Sequence, residues 1–161
     1  MSRAGIEQLL YTMDAAFEDY PLQQQSLLKN LAAVRDEDWL WVPDGCVRSI
    51  FDIVEHLGNK YTYDSHAFGD GSMRWDVPGS IPGIERDTPR AEVIEYLREG
   101  HRRLRTHVEA LADDEELMRP RKVPWGVETT TRWLINVMIQ HDLYHAGEIN
   151  YLRTLKQGTD G

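Results

Sequence analysis

Residues 138–153 read MIQHDLYHAGEINYLR. Apolar residues run through and beyond this stretch at Leu134, Val137, Met138, Leu152 and Leu155, at helical rather than alternating spacing. At 100° per residue, His145 projects roughly 40° to one side of His141 and Glu148 roughly 20° to the other. Leucines and a valine on that face predict that it points into a core. Two histidines and a carboxylate are costly there, because an unpartnered buried polar group costs about 1–3 kcal/mol. Something must satisfy them. Histidines at i and i+4 project to one point in space, the spacing by which one helix supplies two metal ligands. Two ligands do not make a stable site, so a third has to come from another helix. Four other histidines exist, His56, His66, His101 and His107. Spacing alone does not select among them; His56 falls beside the Ile50/Val54/Leu57 stripe of its own segment rather than at its centre.

Outward from this stretch the chain reads as helices. The last one begins among Thr129 to Thr131 and ends before Gly158. Upstream, Thr88-Pro89 reads as a helix start, with Thr as N-cap and Pro in the first position, followed by Val93, Ile94, Leu97, Leu104, Val108 and Leu111. Ser49 with Asp52 three residues on resembles a capping box and opens a helix through Ile53, Val54, Leu57 and Tyr61 to about Phe68. At the N-terminal end, Ile6, Leu9, Leu10, Met13, Ala16 and Phe17 keep helical spacing. Pro21 interrupts or kinks that segment, which continues through Leu27, Leu28, Leu31 and Val34 to about Arg35. Residues 38–45, with two tryptophans and Asp44-Gly45, read as a loop, and Gly69 to Asp87 as a long crossing loop. Strand signals are weak throughout. The sum is an all-α four-helix bundle with long connections, in one domain over residues 1–161.

Two segments carry a resemblance. MIQHDLYHAGEINYLR is similar to the last-helix motif of the DinB-like superfamily, H-x-x-x-H-x-G-[QE]-I. SIFDIVEHLGNKY resembles the same family's second helix, with its single histidine near the middle, and Thr131, Trp133 and Leu134 fit the family's entry to the last helix. The likeness covers nearly the whole chain. It implies a bundle with two long connections, a homodimer, and a divalent metal, zinc or nickel, held by His56, His141 and His145. It further implies an enzyme related to bacillithiol- or mycothiol-dependent S-transferases and mycothiol-dependent maleylpyruvate isomerases. Such an enzyme joins a low-molecular-weight thiol to a small electrophilic substrate; a metal-dependent hydrolase and a non-catalytic metal-binding stress protein are the alternatives. Glu148, where many relatives have Gln, is the candidate catalytic or imidazole-orienting group.

Composition sharpens this reading by exclusion. With 27 acidic against 18 basic residues and a net charge of -9, the surface is not built to neutralise phosphates, so nucleic acid is excluded as a partner. No run is long and apolar enough to span a bilayer, and the first residues do not read as a signal peptide, so a cytoplasmic protein is expected. The single cysteine, Cys46, excludes an internal disulfide and reads as a small inert thiol, so sulfur chemistry would need a thiol brought by a cofactor. The basic run His101 to Arg105 reads as a solvated face or, more sharply, as an anion-recognition patch. His66, His101 and His107 read as structural or exposed, and the tryptophans (Trp39, Trp41, Trp75, Trp125, Trp133) as core packing or pocket lining.

Overall fold

Five α-helices account for most of the chain in the computed structural model, which describes residues 2–18, 26–68, 84–123 and 126–158 apart from the side chain of His66. They are α1 (Ala4–Phe17), α2 (Leu27–Ala32), α3 (Ile50–Phe68), α4 (Arg90–Glu109) and α5 (Thr131–Gln157). A two-stranded antiparallel hairpin, β1 (Pro120–Lys122) and β2 (Glu128–Thr130), leads into α5 in the register Pro120↔Thr130.

The four long helices close into a ring: α1 packs on α4 and α5, and α3 packs on the same two. Consecutive α1 and α3 are therefore diagonal, as are α4 and α5. The connections that cross the bundle are residues 18–49, which include α2 on the α5 side, and 110–130. Residues 69–87 instead join ring neighbours, which corrects their reading as the crossing loop; most of them, with Trp75, lie outside the described residues, as do Pro21, Leu22 and Trp125.

Local chemistry sets the helix ends. The capping box at α3 forms with Asp in place of Glu: the Ser49 backbone N–H donates to Asp52 Oδ2 at 2.7 Å, and the Asp52 N–H donates to Ser49 Oγ at 3.3 Å. Arg86 adds a second clamp on Asp52. α4 departs from expectation by one residue. Pro89 itself is the N-cap, and its carbonyl accepts from the N–H groups of Glu92 and Val93. The Thr88 hydroxyl faces backward and accepts from the Glu85 N–H. For α5, Thr130 Oγ1 caps the Trp133 N–H, and Gly158 ends the helix at φ +71°, a left-handed position that glycine takes without strain. The hairpin is the element that sequence spacing misses; Arg119 at its edge accepts from both the N–H and the hydroxyl of Thr131, seating the start of α5.

The core is continuous across the ring and includes Ile6, Phe17, Val54, Leu57, Leu97, Leu104, Ile135 and Ile149. On α5 the buried line runs through Ile135, Met138, Asp142, His145, Ile149 and Leu152. Its centre lies about 80° round the helix from His141. Val137 is therefore half-buried and Leu155 half-exposed, correcting the face drawn through them, and His141 and Glu148 stand at the edge of the core.

Candidate metal centre

α3 and α5 run antiparallel through the site, with His56 facing His141 and His145, Tyr61 facing Asp142, and Ala67 sharing a cluster with Leu134. Three imidazoles converge from the two helices. His56 Nε2 and His145 Nε2 each lie 3.2 Å from His141 Nε2. One ligand atom from each residue falls within 4.8 Å of the others. A tetrahedral ion with metal–nitrogen bonds of 2.0–2.1 Å would hold its nitrogens about 3.3 Å apart. Two of the three edges fit that spacing.

Proton positions strengthen the fit. His145 Nδ1 donates to Glu148 Oε2 at 2.7 Å. An ionised carboxylate only accepts, so the proton of neutral His145 sits on Nδ1 and Nε2 presents a bare lone pair. His141 Nε2 lies between two other Nε2 atoms, and a single N–H there satisfies only one of them. The buried His141 Nδ1 has no partner among the described residues. A cation at the point of convergence satisfies the facing lone pairs together.

Electrostatics keeps these rings in the ligating form. Burial holds all three imidazoles below the ordinary histidine range. His141 is pushed down to about 3, by burial first and then by neighbouring His145 and His56, with Lys60 and Arg48 adding to the effect. For His145 the Glu148 carboxylate opposes the burial effect. Neutral imidazoles at neutral pH are what metal binding needs. His145 is buried, while His56 and His141 are half-buried, so the cluster reaches the surface along one edge. The exposed Tyr144 ring stands edge-on to His145 at that rim, 5.0 Å between centroids.

Residues 20–149 match the DinB superfamily. The chain belongs to that superfamily. Among solved structures, the DinB-like protein YjoA from Bacillus subtilis is similar with a TM-score of 0.63 over 92% of each chain at 15% identity, a likeness of fold. No curated protein matches the sequence.

In this DinB-superfamily chain the structure brings together all four residues singled out from the sequence, His56, His141, His145 and Glu148. It does not bring in the others. His101 is buried, stacked on Phe17 at 3.9 Å, and His107 stacks on Phe68. His66 has no described side chain. The arginines of the basic run pair with the protein's own acids, Arg102 and Arg103 with Glu99 and Arg105 with Asp14 and Glu109. Cys46 is exposed. Trp39 is buried, Lys156 lies over the Trp41 ring, and Trp133 is exposed.

Sequence reasoning missed a buried polar layer behind the histidines. The Tyr61 hydroxyl donates to Asp142 Oδ2, and Lys60 pairs with Asp64. Burial raises the Asp142 carboxyl to about 8 and that of Asp64 to about 6. Asp142 sits beside His141 in sequence, and its place on the line Ile135–Met138–Ile149 is the signal that marks it as inward-facing.

Proposed function

We propose that His56, His141 and His145 hold one divalent metal, zinc or nickel, and that the protein is a metal-dependent thiol S-transferase joining a low-molecular-weight thiol to a small electrophile. The observation that carries this reading is the convergence of three Nε2 atoms with the His145 proton held away from them by Glu148. A divalent ion supplies Lewis acidity there, favouring the anion of a thiol over its neutral form.

The chain's own groups set the conditions for that chemistry. Three neutral imidazoles contribute no negative charge, so the ion's charge stays available to a substrate anion. Glu148 fixes the orientation and tautomer of His145 and raises its basicity. His56 and His141 are only half-buried, which leaves the cluster reachable from the surface, and core side chains such as Val54, Leu57 and Met138 pack on the protein side. With Cys46 the single cysteine, the sulfur arrives with the substrate. The same reading includes a homodimer, as the family resemblance implies.

Elemental analysis tests the ligand set. The purified protein should carry stoichiometric metal and His145→Ala should lose it; full retention in the variant overturns the assignment. A screen of metal-loaded protein with several thiols and a chromogenic electrophile tests the reaction. Thiol-dependent conjugation that His145→Ala abolishes supports it, and no turnover with any thiol refutes the transferase.

A further inference from the structure

The outward side of a bundle helix is where charge belongs, and α4 follows that rule: Glu92, Glu95, Arg98 and Arg102 are exposed on it. α5 does not. The chain is 28% charged, yet no exposed residue of α5 between 133 and 155 carries a charge, and Trp133, Tyr144, Tyr151 and Leu155 are among the exposed ones. The buried line of α5 centres near Asp142 and packs on α1, α2 and α3. At 100° per residue, the three rings and Leu155 fall within about 40° of the direction opposite to that line. α5 therefore has a second apolar face, turned away from its own bundle.

The face is large enough to matter. Tyr144 and Tyr151 are 69% and 63% exposed. An aromatic side chain offers about 150–250 Å², so the three rings and Leu155 expose about 450 Å² in one band. A patch of that size on a soluble chain is commonly functional. Two copies joined through it would bury about 900 Å² before Gln140, Leu143 and Gly147 are counted, which brings the total to the roughly 1,000 Å² that a specific interface needs.

Spacing and charge say what covers it. Trp133, Val137, Gln140, Tyr144, Gly147 and Tyr151 stand alternately four and three residues apart, the seam along which one helix packs on another. Gly147 is the odd member. Glycine weakens a helix relative to alanine, and a Cβ there would meet no described atom within 4 Å, so the chain's own packing does not call for it. The close approach of a helix from outside does. The face is neutral on a chain of net charge -9, as a surface that meets its own copy must be, and it offers a charged partner nothing to pair with. Set antiparallel to itself, α5 places Tyr144 over the partner's Gly147 and Tyr151 opposite the partner's Gln140, each contact made twice.

We infer that two copies of this chain associate through this face of α5, antiparallel about a two-fold axis between Tyr144 and Gly147. The inference rests on the homodimer in the reading above and gives it a surface. His141 and Glu148 border the face on one side, so the partner's helix forms a wall beside the open edge of the histidine cluster.

Sedimentation equilibrium of the metal-free full chain tests this. The wild type should be a dimer. Tyr151→Glu should weaken association about 100-fold or more, since each substitution counts twice, and Leu155→Lys should act in the same direction. Tyr11→Glu, which alters a similarly exposed ring on α1, should leave association unchanged. Circular dichroism checks that each variant is folded. Gly147→Ala should weaken association about tenfold, and in the Tyr151→Glu background it should raise the melting temperature rather than lower it, because the space beside it is open in the single chain. A dimer untouched by Tyr151→Glu and Leu155→Lys overturns the inference and leaves a homodimer through another face. A monomeric wild type overturns both, and one that co-sediments with phosphatidylcholine vesicles gives the face to a lipid surface instead. Elemental analysis of metal-loaded samples keeps either failure separate from that of the metal site.

Discussion

Replacing Glu148 by alanine isolates what the carboxylate does for the histidine beneath it. Its Oε2 accepts the His145 Nδ1 proton at 2.7 Å, a short charge-assisted bond, and the Glu148 side chain is 31% exposed. Hydrogen bonds to charged groups contribute about 1.5–3 kcal/mol net, and partial exposure lowers this to about 1–2 kcal/mol. In the proposed metal site this bond would hold the ring and its tautomer in the ligating orientation, so its loss should fall on metal affinity. With each factor of ten worth 1.4 kcal/mol, Glu148→Ala should weaken metal binding about 5- to 30-fold. Glu148→Gln keeps an accepting oxygen without the charge, and its loss should be smaller, about 2- to 5-fold. Competition between metal-free protein and a chromophoric chelator at fixed pH measures both values, with circular dichroism as the check that the fold is unchanged. An affinity for Glu148→Ala within twofold of wild type would refute the reasoning, because a group orienting a ligand cannot be removed without cost.

Three further outcomes concern the fold that holds the site. His101 is buried against Phe17 and Tyr61, and burial lowers its pKa to about 4, against the opposing charge of Asp14 and with Arg105 and Arg98 adding to the effect. The unfolded chain takes up this proton near pH 6.5 and the folded one does not until about 4, so stability is complete above that range and falls by up to about 3 kcal/mol as pH drops through it. Urea midpoints from pH 7 to 4 should show this decline, and His101→Phe should flatten it; an unchanged slope rules His101 out as the cause. A Cβ on Gly58 would stand 2.0 Å from Tyr96 Cε1 and displace a ring whose hydroxyl donates to Asn59 Oδ1 at 2.7 Å. Gly58→Ala should therefore cost about 1–3 kcal/mol by calorimetry, and a variant as stable as wild type would show that α3 and α4 have slack at this contact. Tyr61→Phe removes the donor to Asp142, whose other oxygen already lacks a partner among the described residues. Denaturant unfolding should register about 1–3 kcal/mol of lost stability, and a loss below ~0.5 kcal/mol would mean that the acid needs no partner.

The histidine pair and Glu148 are legible because α5 is one long regular helix, where sequence distance converts directly into angle. The buried layer is less so. Drawing the inward face through His141 sets it about 80° off its true centre, which places Leu155 inside and overlooks Asp142. Only packing against α1, α2 and α3 settles that rotation. His56 is not selectable from spacing at all, since meeting His141 depends on the registration of two helices 85 residues apart. Resemblance supplied it. The hairpin escapes notice because three-residue strands leave no alternation to read, and Thr88 misleads because its hydroxyl serves the preceding turn rather than the helix.

The separation between His56 and His141 also has a mechanical meaning. A ligand joining these two side chains closes a loop of 85 residues that takes in the whole of α4 and the hairpin. In the chain-entropy picture developed for cross-links, closing a loop of that size removes about 4–5 kcal/mol of freedom from the unfolded chain. An ion held as proposed would act as a removable tether between distant parts of the sequence. If the proposed ion binds, the melting temperature of this bundle would be a gauge of free metal concentration as much as a property of its packing.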